Sequence, residues 1–209
     1  MLARIRERQH KSAVRNPDET VAVHAYIAAH ARSPAPRDSW EPLARFRERA
    51  LSLASTVDSA ASRADVPARV AAYLREHALP MRAVCWSELA TLGWAANGIH
   101  MDTRGARGDD LVGVTGAFCA IAETGTLVTL SGLETPATVS LLPETHIAVL
   151  DSARIVRTME DAWALIRAER GELPRAVNFI SGPSRTADIE QTVTLGAHGP
   201  YRVHIVLVP

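Results

Sequence analysis

Residues 111–130, LVGVTGAFCAIAETGTLVTL, decide the fold. Apolar residues fill this run on both sides of Ala122-Glu123-Thr124-Gly125-Thr126, the pattern of a strand covered on two faces or of a closely paired strand and turn. Setting a carboxylate and two hydroxyls inside such a run costs desolvation free energy, roughly a few kcal/mol for an unpaired buried polar group. The chain accepts that cost again at residues 181–190, SGPSRTADIE. The reading that follows is that the two segments meet in space and form one polar pocket.

Working outward, residues 146–150 (HIAVL) read as a buried strand. Thr158-Met159-Glu160-Asp161 is a capping-box helix start, with Met159, Ala162, Trp163 and Ile166 on the inner face and Gly171 and Pro174 as the stop. Strands are predicted over 176–180 and 202–208, and a short helix over 186–191. Upstream, Leu43, Phe46, Ala50 and Leu53 recur at helical spacing, followed by a strand near 54–58. Asp65 and Pro67 open a helix that buries Val66, Val70, Tyr73 and Leu74. A strand at 81–86, a helix at 87–96, a strand at 99–102 and a polar turn at 104–110 complete the pattern. This alternation predicts an α/β fold, a three-layer sandwich with a mainly parallel central sheet.

Residues 1–39 read as an N-terminal helical arm and linker, and residues 40–209 as the α/β domain. In the arm one helix is predicted over 2–14. A second starts at Asn16-Pro17-Asp18-Glu19 and runs to about His30, before the Pro-rich linker 33–38.

With 209 residues, 47% hydrophobic and 22% charged, the composition is that of a soluble globular domain. Formal net charge is zero, so no global field draws the chain to nucleic acid or an acidic membrane. Arg4, Arg6, Arg8, His10, Lys11 and Arg15 cluster at the N-terminus, as a solvated helix face would. Two cysteines, Cys85 and Cys119, both in apolar surroundings, exclude a disulfide framework, a four-cysteine zinc site and a self-contained iron–sulfur cluster. No apolar stretch reaches membrane-spanning length and no signal peptide is visible, so a cytoplasmic protein is expected.

Glu123 is the candidate catalytic residue: as a pocket carboxylate it suits acid–base or nucleophilic work. It could equally cap a turn that Gly125 permits. Thr124, Gly125 and Thr126 flank it. In the second segment a strand, then Gly182-Pro183-Ser184-Arg185-Thr186, then a helix start would expose backbone N–H groups to an anion, with Ser184 and Thr186 adding hydroxyls. Asp188 and Glu190 compete with an anion there and also fit a plainly capped helix. His198, in the turn His198-Gly199-Pro200, is either a turn residue or a ligand contact. His146, His198 and His204 have no metal-ligand spacing, so no metal is expected.

Several ordered motifs together resemble the LUD-domain family, in particular its lactate utilisation protein C branch. They are Ala122-Glu123-Thr124-Gly125-Thr126; Ser140-Leu141-Leu142-Pro143 with His146-Ile147; Phe179-Ile180-Ser181-Gly182-Pro183-Ser184 with Thr186-Ala187-Asp188-Ile189-Glu190; and Gly196-x-His198-Gly199-Pro200. The resemblance spans about residues 110–208. It implies a fold akin to the sugar-phosphate isomerase and CoA-transferase superfamily. It also implies a non-redox subunit acting with two iron–sulfur partner proteins in oxidising L-lactate to pyruvate, with no cofactor in this chain. Two other readings stay open: a free-standing CoA-transferase or isomerase using Glu123, and a metabolite-sensing module. The pocket would take a small carboxylate or a phosphorylated ligand.

Overall fold

The structure, a computed structural model, describes residues 1–10, 16–32, 39–186 and 194–209. The chain divides into two units, Met1–Ser39 and Trp40–Pro209. In the first, α1 (Leu2–Arg8) is shorter than expected, because His10 turns left-handed at φ +54. Helix α2 (Pro17–Ala29) starts as its sequence requires. The Asn16 side chain accepts from the Asp18 N–H at 2.9 Å, Pro17 fills the first turn, and Asp18 and Glu19 sit at the positive helix end. The linker at 33–38 lies outside the described residues.

The second unit opens with α3 (Pro42–Ser52), capped by Glu41, whose carboxylate accepts from the N–H groups of Leu43 and Ala44. Then come β1 (Thr56–Ser59), α4 (Val66–Glu76), β2 (Arg82–Cys85), β3 (His100–Thr103) and β4 (Val112–Gly116). The helix expected at 87–96 is instead two 3-10 turns, Ser87–Leu89 and Ala95–Asn97. The Trp94 indole N–H takes the Leu89 carbonyl at 2.7 Å, which a continuous helix would have used for its own ladder. The rest of the chain is β5 (Cys119–Ile121), β6 (Thr126–Leu130), α5 (Thr138–Leu141), β7 (Thr145–Asp151), β8 (Ile155–Val156), α6 (Met159–Arg170), β9 (Val177–Ile180), β10 (Arg185–Thr186), β11 (Thr194–Leu195) and β12 (Arg202–Val208).

Six strands form one parallel sheet in the order β1-β12-β7-β4-β2-β3. The α/β class with a parallel central sheet is therefore as expected. Its middle strands are buried on both faces, which is why HIAVL has no polar alternation. Ile147 and Val149 pack toward α4 with Val70 and Leu74, while Ala148 and Leu150 pack toward α3 with Phe46 and Ala50. Phe46 is completely buried, which stabilises by about 1.5–3 kcal/mol.

The opening stretch 111–130 contributes β4 to this sheet and then a hairpin to a second one. That four-stranded sheet runs β8-β5-β6-β9, with β5–β6 and β6–β9 antiparallel. One face of it meets the central sheet through Ala120, Ala122 and Leu127. The other carries Cys119, Ile121 and Val128 against Ala162 and Ile166 of α6. The Thr158–Asp161 capping box that starts α6 is formed in both directions.

Candidate functional site

Connections from neighbouring strands β2 and β4 leave in opposite directions. From β2 the chain goes outward to β3, and from β4 it returns through β7 toward β12. Parallel sheets open a crevice at the carboxyl ends of such strands. A cavity of about 480 Å³ lies there. Its floor is Trp86, directly after β2, Ala117 and Phe118, directly after β4, and Leu130 and Ser131 at the end of β6. Around it stand Glu88, Glu134, Arg170 and Glu172, all exposed.

Local bonding holds the floor in place. The Trp86 indole donates to the Pro136 carbonyl at 3.1 Å, and the Thr135 hydroxyl donates to the Leu130 carbonyl at 2.8 Å. Two guanidinium groups lie over the Phe118 ring, Arg154 at 4.6 Å and Arg170 at 5.4 Å from its centre. Arg154 is fully committed: its Nε donates to the Phe118 carbonyl at 2.6 Å and its other nitrogens grip Glu169 at 2.9 and 3.0 Å. Arg170 has no ion pair among the described residues. Glu88 lies over the last residue of β4, where a Cβ on Gly116 would overlap its carboxylate. Only glycine at 116 leaves that carboxylate its place.

The residues singled out in the sequence occupy the opposite edge. Thr124 and Thr126 share a hydrogen bond at 2.8 Å, and Thr126 shares another with Ser181 at 2.7 Å. The two polar segments thus meet, through a chain of three hydroxyls. What they meet around is the carbonyl end of α3. Gly125, at φ +68, brings its α-carbon so close to α3 that a Cβ would stand 2.6 Å from the Ala50 nitrogen. At Gly182, φ +81, a Cβ would stand 2.5 Å from the Leu53 carbonyl oxygen. The Arg185 guanidinium donates to that same oxygen at 3.0 Å. Because α3 leads directly into β1, this is the amino edge of the parallel sheet.

Within 182–186 the structure shows a loop and a strand in place of the anion cradle expected at a helix start. Arg185 and Thr186 form a strand, β10, paired antiparallel with β11, and the remainder of the helix expected over 186–191 lies outside the described residues. The Ser184 N–H donates to the Pro200 carbonyl at 2.8 Å and so is occupied within the protein. A helix carbonyl end also carries partial negative charge, which repels an anion. Pro183 and Thr186 are buried in this packing, whereas Asp188 and Glu190 lie outside the described residues. His198 is exposed in the turn before β12, next to Gly199, which packs on Ser184. Glu123 is half-buried; its N–H donates to the Arg157 carbonyl at 3.0 Å, and its carboxylate has no hydrogen bond or ion pair among the described residues. None of these residues lines the carboxyl-edge cavity.

The histidines stand apart. His146 points to the α3 side of the sheet and bonds Thr115 at 2.7 Å. His204 points to the α4 side, bonds Thr56 at 2.8 Å and stacks on Tyr73 at 4.0 Å. Burial lowers the pKa of each to about 4. Opposite faces of one sheet cannot share a metal, and no metal-competent group of side chains occurs among the described residues.

Comparison with known proteins agrees with this architecture. The LUD domain profile matches residues 88–208, more than half of the chain. Lactate utilization protein C of Geobacillus sp. (strain WCH70) is 43% identical over 100 residues, covering 46% of this chain and 42% of that protein. Its namesake in Bacillus subtilis (strain 168) is 40% identical over 100 residues, with coverage of 46% and 42%. That of Bacillus licheniformis is 34% identical over 127 residues, covering 59% and 53%. The matches thus span about half the length of these relatives. A crystal structure of a DUF162 family protein from Deinococcus radiodurans superposes with a TM-score of 0.60 over 83% of this chain and all of that one, at 23% identity, a likeness of fold. The chain belongs to the LUD domain family.

Proposed function

We propose that this chain is a non-redox subunit of a lactate-utilising system, working beside iron–sulfur proteins that oxidise L-lactate to pyruvate. The observation that carries the reading is the identity of 34–43% to proteins named lactate utilization protein C. The chemistry of the cysteines supports the division of labour. Cys85 lies in the core under α4 and Cys119 in the core under α6. Burial raises both thiols, Cys119 to about 12, so neither offers a thiolate, and a cluster needs about four ligands. Electron-carrying centres would then reside in the partners. In this reading the carboxyl-edge cavity is the chain's ligand site.

The test is genetic and biochemical. Deleting the gene should abolish growth on L-lactate while sparing growth on glucose, and the tagged protein should co-purify with iron–sulfur proteins from lactate-grown cells. Unimpaired growth of the deletion strain on lactate would overturn the reading. An acyl-transfer role for Glu123 draws less support, because its turn lies at the amino edge, away from the cavity.

A further inference from the structure

We infer that the carboxyl-edge cavity binds an α-amino acid with a large apolar or aromatic side chain. The argument starts from size. About 480 Å³ falls within the range of small-molecule sites and is far more than a three-carbon acid fills. Leu133, fully exposed, and half-buried Phe118 offer apolar surface to such a side chain, while Trp86 is buried beneath them.

Charge then selects the head of the ligand. Three carboxylates, Glu88, Glu134 and Glu172, line the cavity together with one guanidinium, Arg170. This balance repels phosphorylated sugars, nucleotides and acyl-CoA, which bring several negative charges. A simple monocarboxylate would add a further negative charge to a rim already negative. A zwitterion adds none. Its carboxylate has one place to go, Arg170, which has no ion pair among the described residues. A guanidinium takes a carboxylate through two parallel hydrogen bonds. Its ammonium matches Glu88, whose carboxylate is seated above Gly116 and has no hydrogen bond or ion pair among the described residues. Arg154, bound to Glu169 and the Phe118 carbonyl, keeps Phe118 in place and is not available to the ligand.

The inference rests on the reading of this cavity as the chain's ligand site, and calorimetry on the purified chain with L-phenylalanine, L-leucine, 3-phenyl-L-lactate and L-lactate tests it apart from growth on lactate. L-Phenylalanine should bind saturably and at least tenfold more tightly than 3-phenyl-L-lactate, which differs only in lacking the ammonium. Glu88→Gln and Arg170→Met should each weaken L-phenylalanine at least tenfold, with circular dichroism unchanged because both side chains are exposed. Gly116→Ala should weaken it too, by displacing Glu88. Absence of binding by both amino acids would overturn the inference. So would tighter binding of the hydroxy acid, or undiminished affinity in folded Glu88→Gln and Arg170→Met.

Discussion

Thr115 and His146 face each other from adjacent strands β4 and β7, Oγ1 to Nε2 at 2.7 Å, both completely buried. The other ring nitrogen of His146 has no hydrogen-bond partner among the described residues. Such an imidazole tolerates only the neutral form, and burial lowers its pKa from 6.5 to about 4. The unfolded chain therefore takes up this proton near pH 6.5 and the native chain only near 4. Stability is full above 6.5 and falls as the pH drops between those values, on the order of 3 kcal/mol for this one group. His204, lowered to about 4 by burial, acts in the same window and direction. Urea titrations from pH 7.5 to 4.5 should show a steep loss. His146→Leu should begin less stable, because Thr115 loses its partner, but should lose about one proton's worth of pH dependence. An unchanged slope would mean that His146 is already protonated in the fold.

The hairpin turn between β5 and β6 rests on α3 through Gly125. That residue combines φ +68 with a backbone approach that leaves no room for a methyl group, since a Cβ would lie 2.6–2.7 Å from backbone atoms of Ala50 and Arg49. Neither neighbour is a flexible side-chain end that could swing away. Gly125→Ala is expected to cost about 2 kcal/mol or more and to lower the melting temperature clearly. Gly171→Ala is the control: its φ is also positive, +67, but nothing lies within 4 Å of its Cβ, so it measures backbone strain alone. Equal losses in the two variants would refute the close approach at residue 125.

Thr126 joins the two polar segments by bonding both Thr124 and Ser181, and it is almost completely buried. Thr126→Val keeps the shape and removes the hydroxyl. The expected cost is about 1 kcal/mol, with hydrogen exchange accelerated in the 181–184 loop. L-Phenylalanine affinity should not change, because this network sits at the other end of β6 from the cavity. A fall in affinity would tie the two edges together.

Local signals carried the sequence reading well. The α6 capping box, the α4 face of Val66, Val70, Tyr73 and Leu74, and the apolar run of β7 each depend on neighbours a few residues away, and each forms as expected. What depends on distant partners was not legible. Thr186 reads as a helix start from its own context, but pairing with Thr194 makes it a strand. Strands β5 and β6 are short and wholly buried, so nothing in their pattern separates an antiparallel hairpin from one long parallel strand. The meeting of Thr126 with Ser181 was legible, because both segments set hydroxyls in apolar surroundings. That they meet around the carbonyl end of α3 was not. Glu88, Phe118 and Arg170 come from three separated segments of ordinary composition, and only the strand order brings them to one crevice.

Glu123 separates the two edges as candidate sites. Its carboxylate is half-buried and has no hydrogen bond or ion pair among the described residues, so replacing it with the isosteric amide breaks no contact seen there. Glu123→Gln should change stability by less than about 0.5 kcal/mol, as surface substitutions away from special features do. A deletion strain complemented with Glu123→Gln should grow on L-lactate at the rate of the strain complemented with wild type. The comparison with Glu88→Gln in the same strain decides where the chemistry lies. If Glu123→Gln abolishes growth while protein abundance and melting temperature hold, the functional carboxylate belongs to the hairpin turn, and the amino edge replaces the cavity as the site.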